Sequence, residues 1–176
     1  MSENQSNAPA NDSTANDATT NDAVDTVRSI MESTRIASLT YLDDQGRLVA
    51  TPMGTQDFTE PGTTYWITER DSDKVRHLQA DNRVNVFYSS SDGYVSLAGT
   101  AQVIDDPAKL KELWGMFTGA FMDEGPEDPN SVLIRVDADS AQWWDTPNAV
   151  STVVRLITAR LTDGETDLGD SGITRL

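Results

Sequence analysis

The spacing of apolar positions changes several times along the chain, and each change marks an element. Val24, Val27, Ile30 and Met31 recur at helical spacing behind Asp22 or Asp25 as N-cap, which predicts a short amphipathic helix ending near Ser33. Ile36, Ser38, Thr40 and Leu42 then lead to Asp43-Asp44-Gln45-Gly46, and Arg47 to Met53 resumes the extended pattern, so this stretch reads as a β-hairpin. The β-branched and aromatic run TTYWIT, from Thr63 to Thr68, predicts a third strand. Asp71 or Ser72 caps a helix carrying Val75 and Leu78 to about Ala80.

Two further strands follow, Arg83 to Tyr88 and the long run Gly93 to Ile104, in which Gly99 marks a bulge or a close approach of backbones. Asp105-Asp106-Pro107 is a helix start, with Leu110, Leu113, Trp114 and Phe117 as its apolar stripe. After the turn-rich Gly125 to Asn130, a strand runs from Ser131 to Val136 and continues past a bend through Ala141 to Trp144. A last helical pattern comprises Val150, Val153, Val154, Ile157 and Leu161. Strands and helices do not alternate regularly. The expected class is therefore mainly β with peripheral helices, an antiparallel barrel rather than a doubly wound parallel sheet.

Residues 1 to 23 contain no aromatic and no large aliphatic side chain after Met1, so they are expected to form a disordered acidic tail before a single domain covering 24 to 176. The net charge is −16 and the pI about 4.1. Only five of the 29 acidic residues lie within the first 25 positions, so the acidity belongs to the folded part as well. Such a balance repels phosphate backbones and anionic lipid, and it argues against nucleic-acid and membrane-surface partners. Without cysteine, and with His77 as the one histidine, neither a disulfide framework nor a thiolate or histidine metal site is expected. No signal-peptide pattern and no long apolar run occurs, which makes the cytoplasm the expected location.

The chemistry concentrates between Trp66 and Lys74. A strand delivers Thr68 to a loop, the loop places Ser72 beside the free N–H groups of a helix start, and Lys74 adds a cation on the same turn. Together these favour an anion such as a phosphate. A capped helix start alone marks no site, because such starts are common and most hold nothing. His77 is expected to be a solvated or partly buried side chain rather than a general base. The acidic residues Asp163, Glu165, Asp167 and Asp170 miss calcium-loop spacing and are read as solvated. No nucleophile elbow and no glycine-rich phosphate loop is present.

An ordered series of segments carries a resemblance. Thr34 to Leu39 is followed by Gly46-Arg47-Leu48 with Thr51-Pro52-Met53, then Trp66-Ile67-Thr68 with Ser72-Asp73-Lys74-Val75. Asn82 to Val86, Tyr94 to Ala101 and Trp143-Trp144-Asp145 complete it. The series resembles the general stress protein 26 branch of the pyridoxamine 5′-phosphate oxidase-like superfamily, which implies an FMN-binding split β-barrel that dimerises with two flavin sites between subunits.

Carried over by position, the resemblance implies that Ile67 and Thr68 line the flavin and its phosphate tail and that Ser72 and Lys74 hold the phosphate. It sets Met53, after Thr51 and Pro52, against the ring, with Trp144 approaching from the second subunit of a homodimer. FAD or a deazaflavin would use the same cleft. Two positions depart from the pattern: Thr51 stands where the family often has arginine, and Asp73 where the oxidase has a basic residue. Loss of one charge-assisted contact costs about 1.5–3 kcal/mol, roughly ten- to a hundredfold in affinity, unless Arg47 or Arg70 substitutes. The implied activity is a flavin-dependent oxidoreductase acting on a small substrate. A stress-related binding module with weakened flavin binding is the alternative.

Overall fold

The Asp43 side chain organises the first turn: its Oδ1 accepts hydrogen bonds from the backbone N–H of Gln45 at 2.9 Å and of Arg47 at 2.8 Å. Gly46 follows at φ +73°, a conformation that a residue without Cβ adopts freely. The turn joins β1 (Ile36–Leu42) to β2 (Leu48–Gly54) in the hairpin that the sequence predicts, with Leu42 opposite Leu48 and Ile36 opposite Gly54. The computed structural model describes residues 13–115, 122, 125–145 and 171–175, without the side chains of 13–21 and 175.

The remaining elements are β3 (Thr63–Glu69), α2 (Asp73–Ala80), β4 (Arg83–Ser89), β5 (Gly93–Ile104), α3 (Pro107–Leu113), β6 (Ser131–Asp145) and β7 (Ser171–Arg175), preceded by α1 (Ser13–Glu32). All strand pairs are antiparallel, in the order β2-β1-β4-β5-β6-β3, with β7 on the same edge of β6 as β3 but farther along it. The sheet is open. Its two end strands, β2 and β3, approach each other without pairing, and this gap is the split of the barrel.

A bulge keeps β6 apolar toward the interior along its whole length. Gly99 lies opposite Ala138 while Ala98 lies opposite Ser140, so Asp139 is the extra residue. Before it, Ile134 and Val136 face the core at even positions; after it, Ala141 and Trp143 do so at odd positions. Gly99 is required there because a Cβ would overlap the backbone of Asp137 and Ala138. Val86, Val95, Leu97, Trp66 and Tyr88 fill the interior, and the Trp66 Nε1 donates to the Thr64 hydroxyl at 3.2 Å. Val27, Ile30 and Met31 of α1 cover it. On the other face of β3 and β6, α3 seats Leu110 on Ile67 and Leu133.

Three boundaries differ from the sequence reading. Helix α1 begins at Ser13, within the stretch read as tail, because extending a helix costs little once its packed C-terminal half has nucleated it. Helix α3 ends at Leu113 instead of running on to Phe117, with Trp114 already extended at its C-cap. Strand β7 has no counterpart in the sequence reading: five residues without strong alternation carry little strand signal, and the pairing edge comes from Ser140 to Trp144. Phe117, the helical pattern from Val150 to Leu161, the acidic residues 163–170 and positions 1–12 lie outside the described residues. Among the described residues, no helix is long and apolar enough to cross a membrane.

Candidate functional site

The gap between β2 and β3 holds a cavity of about 380 Å³. Its walls are Pro52, Met53 and Gly54 from β2, Ile67, Thr68 and Glu69 from β3, and Ser72 and Lys74 from the start of α2. Ile36, Gln56 and Met122 complete it. The volume falls within the range of small-molecule sites, which pair apolar walls with a few polar groups. Ser72 is the N-cap of α2: its Oγ donates to the Glu69 carbonyl at 2.8 Å and accepts from the Val75 N–H at 3.5 Å. The first N–H groups of such a helix have no intrahelical acceptor, and Ser72 and Lys74 of this turn line the cavity.

Among the described residues, Lys74 is the one basic residue lining this cavity. It is half-buried, and its Nζ lies 3.1 Å from the Met53 Sδ, a weak acceptor. Among the described residues no carboxylate lies within ion-pair distance of it. Burial pushes the ammonium below its usual range, against the nearby Glu69 carboxylate, which raises it. A cation held this way has only the Glu69 charge nearby and no ion pair, and an anion in the cavity would relieve it.

Six of the eight residues singled out in the sequence meet here: Pro52, Met53, Ile67, Thr68, Ser72 and Lys74. Thr51 does not line the cavity; its hydroxyl lies 3.2 Å from the Tyr41 hydroxyl. Trp144 lies elsewhere, opposite Tyr94 and Ser171. Neither arginine considered as a substitute cation reaches the site. Arg47 binds Asp43 at 2.7 Å, and Arg70 binds Asp105 at 2.7 Å and the Pro129 carbonyl at 3.0 Å. Asp73 pairs with Arg76 at 2.7 Å. His77 is partly buried against Tyr41, with ring centroids 5.9 Å apart, and is not a lining residue. Ile36, Gly54, Gln56, Glu69 and Met122 were missed in the sequence. Only Ile36, an aliphatic residue opening the segment Ile36 to Leu42, left a visible trace there.

The sequence profile of the family described as pyridoxamine 5′-phosphate oxidase like matches residues 22–167. The chain belongs to this family. A match over most of the chain agrees with the open antiparallel sheet. Solved structures of similar fold include a candidate general stress protein 26 from Jannaschia sp. CCS1, 24% identical with a TM-score of 0.75, the match covering 89% of this chain and 99% of that one. A candidate general stress family protein from Xanthomonas campestris pv. campestris is 28% identical with a TM-score of 0.61, over 73% and 90% of the two chains. A heme binding protein from Mycobacterium smegmatis is 17% identical with a TM-score of 0.57, over 69% of this chain and 53% of that one. The family fold therefore does not by itself name a ligand. No curated protein sequence matches significantly.

Proposed function

We propose that the cavity is a flavin site and that the protein is an FMN-dependent oxidoreductase acting on a small substrate as a homodimer. The observation that carries this reading is the half-buried Lys74 ammonium without a described carboxylate partner, at the mouth of a capped helix start and beside an apolar wall. The residues present fit the group: Lys74, Thr68 and the first turn of α2 would hold its phosphate, and Met53, Pro52 and Ile67 would contact its ring. A single cation suits one phosphate better than the diphosphate of FAD. When bound, the flavin supplies hydride or electron exchange, and the chain supplies position and electrostatics.

Each residue has a physical task in that arrangement. Lys74 neutralises phosphate charge, Ser72 keeps the first N–H groups of α2 aimed at the cavity by capping, and Ile67, Met53 and Ile36 exclude water from the ring. The homodimer has independent support in an exposed aromatic face: Phe87 and Tyr94 stack at 6.1 Å, and Trp144 pairs with Tyr94 in the register.

The visible spectrum of the purified protein and calorimetric titration with FMN test the reading. Flavin absorbance, or FMN binding that weakens about tenfold or more in Lys74→Ala, is expected. A colourless protein that binds no added FMN overturns it and leaves the binding-module alternative, which the single cation and the Asp73–Arg76 pair favour. The mass of released ligand separates FMN from FAD and a deazaflavin.

A further inference from the structure

We infer that Met53 is an oxidation site that controls the anion site: hydrogen peroxide converts its thioether to the sulfoxide, which captures the Lys74 ammonium and closes the site to phosphate. The two side chains already touch, with Nζ 3.1 Å from Sδ. A thioether accepts hydrogen bonds weakly, so in the reduced protein the ammonium is held loosely and exchanges to an incoming anion at small cost. The sulfoxide is a polar group with a strong oxygen acceptor. Formed on this sulfur, its oxygen lies within reach of an ammonium that has no described carboxylate partner.

Access favours Met53 over the core methionine. Met53 is only 6% exposed, but it forms part of the cavity wall, through which a small neutral oxidant reaches the sulfur. Met31, in the same interior cluster as Met53, is 1% exposed and does not line the cavity. Met122 also lines the cavity, and no contact with Lys74 is described for it.

The step balances. The sulfur lone pair attacks one peroxide oxygen as the O–O bond breaks, so that sulfur is oxidised by two electrons and peroxide is reduced. The departing hydroxide takes a proton from the Lys74 ammonium, and the proton on the oxygen retained by sulfur returns to the amine. The products are the sulfoxide and one water. Lys74 is placed to serve as that acid, and burial, which makes its proton easier to release, supports the role.

The inference rests on the reading of Lys74 as the cation of an anion site, and the test separates the two. The full chain is treated with hydrogen peroxide, one-oxygen mass gains are mapped by peptide mass spectrometry, and binding of inorganic phosphate and of FMN is measured before and after. Met53 is expected to gain oxygen ahead of Met31, and affinity for both probes to fall by about tenfold or more, the worth of one charge-assisted hydrogen bond. Methionine sulfoxide reductase should restore it, and in Met53→Leu the affinity should be the same before and after peroxide. Binding that persists when Met53 carries the oxygen, or loss of binding with oxygen on Met122 alone, overturns this inference. Untreated protein that binds neither probe overturns the anion-site reading and the closure with it. The wild-type comparison with reductase reversal needs no variant to fold.

Discussion

Gly99 faces the carbonyl oxygen of Asp137 across the β5–β6 pair so closely that a methyl group on its Cα would overlap that oxygen. The neighbour is backbone in a paired strand and cannot swing aside. Gly99→Ala is expected to destabilise the fold by about 3 kcal/mol, the upper end of overpacking costs, and to lower the melting temperature by roughly 6–12 °C. Gly46→Ala is the control. It meets nothing within 4 Å and carries only the strain of φ +73°, about 1 kcal/mol. Equal losses in the two variants, followed by circular dichroism, would contradict the role given to the bulge.

Arg70 is engaged away from the cavity, so Arg70→Ala should leave FMN affinity within about twofold and cost at most about 1 kcal/mol of stability, as exposed ion pairs do. Lys74→Ala should weaken binding by about tenfold or more. Parallel titration calorimetry checks the contrast, and a fall in Arg70→Ala as large as that in Lys74→Ala would show that the guanidinium reorients toward the ligand.

The pH dependence of stability reports on Lys74 directly. Burial lowers its folded pKa from 10.5, so between the folded value and 10.5 the unfolded chain binds more protons than the folded one. Its contribution to stability therefore rises with pH through that window. Buried Tyr88 acts in the opposite direction above 10.0, since burial raises its pKa in the fold. Taking the difference between wild type and Lys74→Met isolates the lysine. Without ligand, the variant is expected to melt no lower than wild type at neutral pH, with the gap narrowing toward 10.5. A variant less stable at every pH would contradict an ammonium whose burial outweighs its nearby charge.

At the acidic end, the Arg83 guanidinium, joined by the Arg83 backbone N–H, holds the Asp81 carboxyl down to about 2 from an ordinary 3.8. The stability this pair contributes is present above 3.8 and is lost as pH falls toward 2. Carbon-detected NMR titration should give a midpoint near 2 for Asp81, rising in Arg83→Ala but staying below 3.8, because the backbone N–H of position 83 still donates to the carboxylate. An unshifted wild-type midpoint would mean that the pair does not persist in solution.

Local information was sufficient wherever a short-range rule decides the conformation. The Asp43-to-Gly46 turn, the α2 cap at Asp71 or Ser72, the Asp106-Pro107 start of α3 and the strands β1 and β4 depend on neighbours within a few residues, so all were legible. Gly99 was legible because an isolated glycine in a strand is a costly choice unless a backbone comes close. Strand β7 was not, since its partner edge lies some thirty positions earlier in the chain.

The site divides in the same way. By itself the sequence determined that Thr68, Ser72 and Lys74 share one strand-to-helix turn, because seven consecutive residues leave the chain little freedom to separate them. Only the tertiary structure decided that Met53 meets Lys74, that Arg70 turns to Asp105, and that Thr51 lies beside Tyr41. Those pairings link positions 10 to 35 apart, and the Met53–Lys74 contact joins β2 to the start of α2 across the split. Which side chains converge across such a gap depends on the curl of the whole sheet, and no local preference encodes it.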